Sequence, residues 1–160
     1  MNSTSTPHEA IQIRSARKED VSLMARWQEA MALESEDRQL DADVVRRGIQ
    51  RAFDDPQKGR YFIAEMGGRP IGTLMLTWEW SDWRDGWWWW IQSVYVETEF
   101  RRRGAYRALY AHVLALAEAD PEVRGLRLYV EQDNTNARRT YEFLGMQHPG
   151  YAMYEKVISR

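Results

Sequence analysis

Two hydrophobic periodicities alternate along this chain. Apolar residues at every second position, or in short unbroken runs, predict six strands, at residues 11–15, 61–66, 71–80, 87–97, 126–131 and 151–157. Apolar residues spaced three and four positions apart predict four helices, at about residues 17–31, 44–53, 105–119 and 137–144. The last strand has the weakest alternation of the six. The order β-α-α-β-β-β-α-β-α-β predicts an α/β single domain with a mixed, mostly antiparallel twisted sheet flanked by helices.

Local signals place several boundaries of these elements. Asp41 or Asp43 can cap the second helix, Asp120-Pro121 ends the third, and Gly145 ends the fourth. Residues 1–9 are small and polar, so we predict a flexible N-terminal tail there. Residues 10–160 contain no repeat and no linker-like segment, and we predict that they form one domain.

Composition narrows the classes of function. The 160 residues are 44% hydrophobic and carry 22 Lys plus Arg against 24 Asp plus Glu, so bulk charge favours neither nucleic-acid nor membrane binding. There is no cysteine, and the three histidines are scattered, which argues against a metal site and a thiol nucleophile. No segment has the pattern of a signal peptide or a membrane span. We therefore expect a cytoplasmic protein.

The stretch from Trp87 to Tyr110 carries the clearest chemistry. An apolar strand leads into three consecutive arginines and Gly104, and an amphipathic helix follows. The first amides of a helix lack partners within it, and a glycine lets the backbone approach a ligand closely. Arginines beside such a helix N-terminus form a phosphate-binding arrangement.

The chain contains two motifs, RRRGAY at residues 101–106 and Asn134-x-x-Ala137-x-x-x-Tyr141, that resemble segments of the GCN5-related N-acetyltransferase (GNAT) superfamily. The sequence RRRGAY, residues 101–106, resembles the acetyl-CoA-binding motif Arg/Gln-x-x-Gly-x-Gly/Ala, except that Tyr106 replaces a small residue. Asn134-x-x-Ala137-x-x-x-Tyr141 resembles the second segment on the cofactor side. The order of elements is also similar to that superfamily's fold, over roughly residues 10–158.

The resemblance implies acetyl-CoA as co-substrate and a role for each matching residue. Free backbone amides of the fourth strand would hold the acyl group, the arginine loop would hold the pyrophosphate, and Asn134 would contact the pantetheine arm. Tyr141 would lie near the sulfur, where it can protonate the departing thiolate. The implied cofactor-binding residues are Val94, Tyr95, Val96, Arg101, Arg102, Arg103, Gly104, Ala105, Tyr106, Asn134, Ala137 and Tyr141.

The sequence indicates no single general base. Many members of the superfamily place an acid on the fourth strand, where this chain has Gln92-Ser93. Acidic residues elsewhere are candidates, namely Glu34, Glu36, Glu79, Glu97 and Glu99. Glu34 and Glu36 follow the first predicted helix, in a break that borders the acceptor pocket in the superfamily. We predict that this pair recognises the amine.

Seven of the eight tryptophans lie in one predicted hairpin, between Trp78 and Trp90. Within the run, Trp87 and Trp89 must face the opposite side of the sheet from Trp88 and Trp90. The inward pair is expected to pack in the core. The others could line an acceptor pocket through cation–π contacts or form the interface of a homodimer.

These observations predict an N-acetyltransferase. It would transfer acetyl from acetyl-CoA to a primary amine of a small molecule or peptide, by direct attack through a tetrahedral intermediate. The same fold could instead serve as a non-catalytic CoA-binding sensor or interaction module. A third reading is an acyltransferase for chains longer than acetyl.

Overall fold

The computed structural model describes residues 10–159, which form two compact units, residues 10–128 and residues 129–159. The first unit contains five strands and three helices in chain order: β1 (Ile11–Ser15), α1 (Val21–Glu36), α2 (Ala42–Asp54), β2 (Arg60–Met66), β3 (Arg69–Ser81), β4 (Gly86–Val96), α3 (Ala105–Ala119) and β5 (Val123–Arg127). The second unit contains α4 (Thr135–Phe143).

The five strands form one sheet in the order β1-β2-β3-β4-β5. The first three pairings are antiparallel, and β4 pairs with β5 in parallel. Parallel neighbours need a crossover connection, and α3 supplies it. The predicted α/β class with a mixed, mostly antiparallel sheet is confirmed.

The two faces of the sheet are covered by different helices. On one face, Tyr61 and Ile63 pack against α1 and α2 in a cluster that includes Met24, Trp27 and Ile49. Phe62 points the other way, because successive strand residues alternate, and its ring meets His112 of α3 edge-on at 5.0 Å. Leu109 and Val113 of α3 are fully buried. The sheet is therefore the middle layer of the first unit.

The pairing of β4 with β5 is short. It includes only Trp87–Trp90 of β4, whereas β3 accompanies β4 as far as Val96. Within this short pairing, Gly125 of β5 leaves room for the Trp88 ring, because a Cβ at Gly125 would lie 2.5 Å from that ring. Beyond Trp90, the edge of β4 that faces away from β3 has no strand partner among the described residues.

Helix capping follows the local sequence. Asp41, one of the two predicted caps of α2, accepts hydrogen bonds from the Asp43 and Val44 amides at 2.9 and 3.1 Å. Asn134 caps α4, accepting from the Ala137 amide at 3.1 Å. Both side chains satisfy amides that the helix itself leaves without acceptors.

The structure corrects three predicted elements. The strand predicted at residues 151–157 is wrong: no strand lies between residues 128 and 159, and Tyr151, Tyr154 and Val157 are exposed. Its alternation breaks where Met153 and Tyr154 are adjacent apolar residues, so no single apolar face exists. The fifth strand begins at Val123 and not at Leu126. The first helix extends to Glu36, so Glu34 and Glu36 lie on its last turn.

Two further predictions concern residues 1–9 and membrane-spanning segments. The tail predicted at residues 1–9 lies outside the described residues. Within residues 10–159, no helix is both long enough and apolar enough to cross a membrane.

Candidate active site

The open edge of β4 presents backbone groups that the sheet does not use. Glu97 N–H donates to Ile71 O at 2.9 Å, and Val96 lies opposite Gly72. In an antiparallel ladder, this places Val96 in a pair whose own N–H and C=O point away from the partner strand. The Val96 amide therefore faces the side that β5 has left. The amide of Tyr95, by alternation, points toward β3.

A bulge in β4 lies just before these residues. The register with β3 shifts between the pairs Thr73↔Tyr95 and Met75↔Gln92, and Ser93 has a left-handed φ of 50°. Gln28 of α1 donates from Nε2 to the Ser93 carbonyl at 3.4 Å. A bulge bends its strand and re-aims the residues that follow. This one precedes Val94–Val96.

The arginine loop connects β4 to α3. A 3₁₀ turn, Thr98–Phe100, leads into it, and Arg102 and Gly104 have φ values of 64° and 90°. Within α3 the hydrogen bonds begin with Ala108 N–H donating to Gly104 O at 2.9 Å, so the amides before Ala108 lie outside the helical ladder. The Arg102 and Arg103 side chains are exposed. The loop thus offers amides, a helix N-terminus and positive charge together, as a phosphate site requires.

Tyr106, the departure from the motif, is accommodated by the core. Its hydroxyl is buried, and its ring lies 6.3 Å from that of Tyr110 on the same helix. The Tyr106 side chain therefore does not lie on the loop surface, where the backbone of the loop is exposed.

Arg101 faces backward from the loop, toward β4. Its Nε donates to Val96 O at 2.9 Å, and its Nη2 contacts Glu34 Oε2 at 2.6 Å. The guanidinium lies 5.4 Å from the centre of the Tyr95 ring, and the Tyr95 hydroxyl is 3.5 Å from Glu34 Oε1. Burial and the negative charge of Glu34 raise the pKa of Tyr95. These contacts link Glu34 of α1, Tyr95 and Val96 of β4, and Arg101 of the loop in one network.

A second network holds the 3₁₀ turn from the other side. Arg69 Nη2 contacts Glu97 Oε2 at 2.7 Å and Glu99 Oε1 at 2.5 Å. Trp27 Nε1 donates to Glu97 Oε1 at 3.2 Å, and the Trp27 ring stacks on Tyr95 at 6.1 Å. Arg69 also lies over the Phe100 ring at 4.8 Å. Glu97 and Glu99, two of the candidate bases, are thus engaged in ion pairs.

Glu79 lies far along β3 from the open edge. It is opposite Trp88, eight residues before Val96 on the neighbouring strand. Its carboxylate accepts from Trp90 Nε1 at 2.6 Å and from Arg127 Nη1 at 2.7 Å. At about 3.3 Å per strand residue, the separation from Val96 is roughly 25 Å. Glu79 is therefore not within reach of a proton near Val96.

The tryptophan faces follow the predicted alternation. Trp78 and Trp80 lie opposite Trp89 and Trp87, with edge-to-face ring distances of 5.4 and 5.0 Å. Trp88 lies on the other face with Arg127 over its ring at 4.1 Å. Trp80 is 46% exposed and Trp83, in the turn, 91%. We call Trp78, Trp80, Trp83, Trp87 and Trp89 the tryptophan surface.

The second unit contains the remaining predicted residues. Asn134 uses its side-chain oxygen to cap α4, and Ala137 supplies the amide that it accepts from. Tyr141 lies two turns into the same helix, and burial raises the pKa of its hydroxyl. A tyrosine with a raised pKa keeps its proton at neutral pH, as an acid catalyst must.

Among the described residues, no cluster of His, Cys, Asp and Glu could hold a metal ion.

Three residues that contact the end of β4 and its loop are not evident from the sequence. Trp27 and Gln28 are buried on α1, and their polar atoms reach Glu97 and Ser93. Arg69, at the start of β3, binds Glu97. Each has a partner at least 28 positions away along the chain, and no local pattern identifies such a pair.

Comparison with known proteins agrees with this geometry. The Acetyltransferase (GNAT) family matches residues 22–146. A possible acetyltransferase from Clostridium difficile 630 is 39% identical, with a TM-score of 0.88, and the match covers 95% of this chain and 100% of that one. The chain therefore belongs to the GNAT acetyltransferase family.

Two more distant structures share the fold. A predicted acetyltransferase with acetyl-CoA from Clostridium acetobutylicum is 16% identical, with a TM-score of 0.75 and coverage of 92% of this chain and 96% of that one. A ribosomal-protein-alanine N-acetyltransferase from Brucella melitensis biovar Abortus 2308 is also 16% identical, with a TM-score of 0.74 and coverage of 94% and 100%. No curated protein sequence matches.

The left-handed turn before α3 gives a testable prediction. Gly104→Ala should lower the free energy of unfolding by about 1–2 kcal/mol, because φ is 90° there although no atom lies within 4 Å of an added Cβ. Gly48→Ala is the matched control: it also meets open space, lies inside α2, and should stabilise by about 0.5–1 kcal/mol. Urea unfolding of the three proteins measures both. Equal effects of the two substitutions would contradict the assigned turn.

Proposed function

We propose that this protein transfers acetyl from acetyl-CoA to a primary amine of a small molecule or peptide, by direct attack of the amine. The observation that carries the proposal is the open edge of β4, which presents the Val96 amide and continues into the arginine loop at the N-terminus of α3. One strand and its loop thus offer a donor for an acyl oxygen and a cradle for phosphates.

The loop is assigned to the pyrophosphate. Backbone amides from Arg102 to Tyr106 would donate to phosphate oxygens, and the exposed guanidinium groups of Arg102 and Arg103 would add charge. Gly104 presents no Cβ on this surface, and Ala105 is buried beneath it. These features fit an anionic, extended ligand that approaches the helix along its axis.

The Val96 amide is assigned to the acyl oxygen. Val94 and Tyr95 flank it, and Val94 would contribute to the wall of the acyl site. Negative charge that develops on the acyl oxygen during attack would be stabilised by a donor already fixed in the strand. Tyr95 would support the site through its ring, because its amide points toward β3.

The remaining roles are assigned to α4 and to the end of α1. Tyr141 would protonate the departing thiolate, since its raised pKa keeps it protonated in the pH range where an alkyl thiol, near ~8.5, accepts a proton. Asn134 and Ala137 would contact the pantetheine arm. Glu36, exposed on the last turn of α1, would attract the ammonium form of the acceptor, which would lose one proton to solvent and attack as the neutral amine. As the C–N bond forms and the C–S bond breaks, the nitrogen would lose a second proton to solvent, and solvent would return a proton to Tyr141. Glu34 of the same predicted pair already contacts Arg101.

The proposal predicts turnover with a suitable amine. Saturating acetyl-CoA should raise the thermal midpoint, because a ligand that binds only the folded state stabilises it. A panel of primary amines should then release free CoA above the background without amine. Binding without release for any amine would favour the CoA-binding sensor instead. Faster release of CoA from acyl-CoAs with longer chains would favour an acyltransferase for chains longer than acetyl.

The role of Tyr141 gives a further prediction. Tyr141→Phe should lower kcat by about 10²-fold or more while the Kd for acetyl-CoA changes little, because only the proton donor is lost. Tyr154→Phe is the control: Tyr154 is 94% exposed in the same unit, and both parameters should stay unchanged. If Tyr141→Phe weakens acetyl-CoA binding as much as it slows turnover, Tyr141 has a structural role.

We further propose that the tryptophan surface joins two copies of this chain. Trp87 is nine residues before Val96, roughly 30 Å along the strand, so these rings are too far away to hold a reacting amine. Trp80 and Trp83 alone expose roughly 300 Å² of side chain on each copy. A two-fold interface would hide that area twice, about half of what a specific interface of ~1,200 Å² requires, and the half-buried Trp78, Trp87 and Trp89 add to it.

Sedimentation velocity tests this assembly. The protein should sediment as a dimer at tens of micromolar, and the double variant Trp80→Gln/Trp83→Gln should sediment as a monomer, because the substitutions remove most of the exposed aromatic area. Val44→Gln changes an exposed apolar side chain elsewhere, 53% exposed on α2, and should leave the dimer intact. A monomeric parent protein at that concentration contradicts the proposed interface.

A further inference from the structure

The loop that follows β4 is held in an unfavourable conformation. Arg102 has a φ of 64°, a region that residues other than glycine rarely adopt. Such a residue costs on the order of 1–3 kcal/mol and persists only where its surroundings fix it. Arg102 and Arg103 are exposed, and Arg103 lies over the Phe100 ring at 5.5 Å. The contacts that hold the turn are therefore those of the segment before it and of α3 after it.

The residues that lead into the turn are anchored by ion pairs, and α3 begins directly after it. Before it, Arg69 binds Glu97 and Glu99. At its first residue, Arg101 is held by Glu34 and by the Val96 carbonyl. The two contacts of Arg101 have different origins, because Val96 belongs to the strand that the loop leaves, whereas Glu34 is on α1, 67 positions away in the sequence.

We propose that Glu34 is a positioning residue for acetyl-CoA, which acts through Arg101 and does not contact the amine. The inference rests on the proposed function and deepens it. Glu34 directs the Arg101 guanidinium toward β4, so that the side chain stays out of the phosphate surface and its backbone stays at the start of the turn. The loop amides are then arranged before the ligand arrives, and pre-arrangement lowers the ordering cost of binding.

The exposure of the pair makes its role local. The side chains of Arg101 and Glu34 are 39% and 45% exposed, and exposed ion pairs contribute little to global stability. Removing the Glu34 charge should therefore leave the thermal midpoint without ligand close to that of the parent protein. Its effect should appear where the loop conformation matters, in the affinity for CoA.

A double-mutant cycle on the 160-residue chain tests this inference. Glu34→Gln should raise the Kd for CoA, measured by isothermal titration calorimetry, and the KM for acetyl-CoA by about 3- to 10-fold, with the KM for the amine unchanged. In an Arg101→Gln background, the same substitution should have no further effect on CoA affinity, because its partner is already gone. Glu29→Gln, which removes the same charge from the same helix, should change neither quantity.

Each other outcome overturns the inference in a recognisable way. A raised KM for the amine with unchanged CoA affinity would return Glu34 to acceptor recognition. Additive effects in the Arg101→Gln background would show that Glu34 acts independently of Arg101. If the parent protein does not bind CoA at all, the proposed function is refuted. If the parent protein binds CoA and Glu34→Gln leaves that affinity unchanged, only the inference about Glu34 is refuted.

Discussion

The first unit is organised around the point where β4 loses its parallel neighbour. Through Trp90 the strand is paired on both sides, and after Trp90 only β3 remains. A strand in the middle of a sheet has no backbone donors to offer a ligand, and an edge strand exposes them to solvent along its whole length. Half-pairing provides both properties in one strand: a fixed backbone and, at its end, an amide directed at the opened side.

Several features maintain that opening. The bulge at Ser93 bends β4 after the paired segment, and Gln28 of α1 holds its carbonyl. The Arg101 guanidinium occupies the Val96 carbonyl, so one of the two outward backbone groups of Val96 already has a partner. What remains directed outward is a donor, which suits an oxygen that gains negative charge. Helix α1 contributes to both features, through Gln28 and Glu34.

Local sequence patterns predicted the parts of the fold that depend on local physics. Alternation identified β2, β3 and β4 and assigned the tryptophans to the correct faces, because a strand's side chains alternate whatever surrounds it. Gly104 has a φ of 90°, a conformation that glycine adopts without strain. The positive φ of Arg102 was not predictable, because the residues that hold its neighbours, Arg69 and Glu34, lie far away in the sequence. The strand predicted at residues 151–157 was wrong for a related reason: a weak alternation forms a strand only where a partner is available, and the pattern contains no information about partners.

The distribution of the tryptophans has a spectroscopic consequence. Seven of the eight lie on the β3–β4 hairpin, and the eighth, Trp27, is a buried residue of α1. Its indole donates to Glu97 and stacks on Tyr95, so its emission should depend on the state of the loop that begins with Glu97. The hairpin rings would dominate the fluorescence of the native protein and mask that signal. With the hairpin tryptophans replaced by phenylalanine, Trp27 becomes an intrinsic optical reporter placed beside the strand end that the chemistry is assigned to.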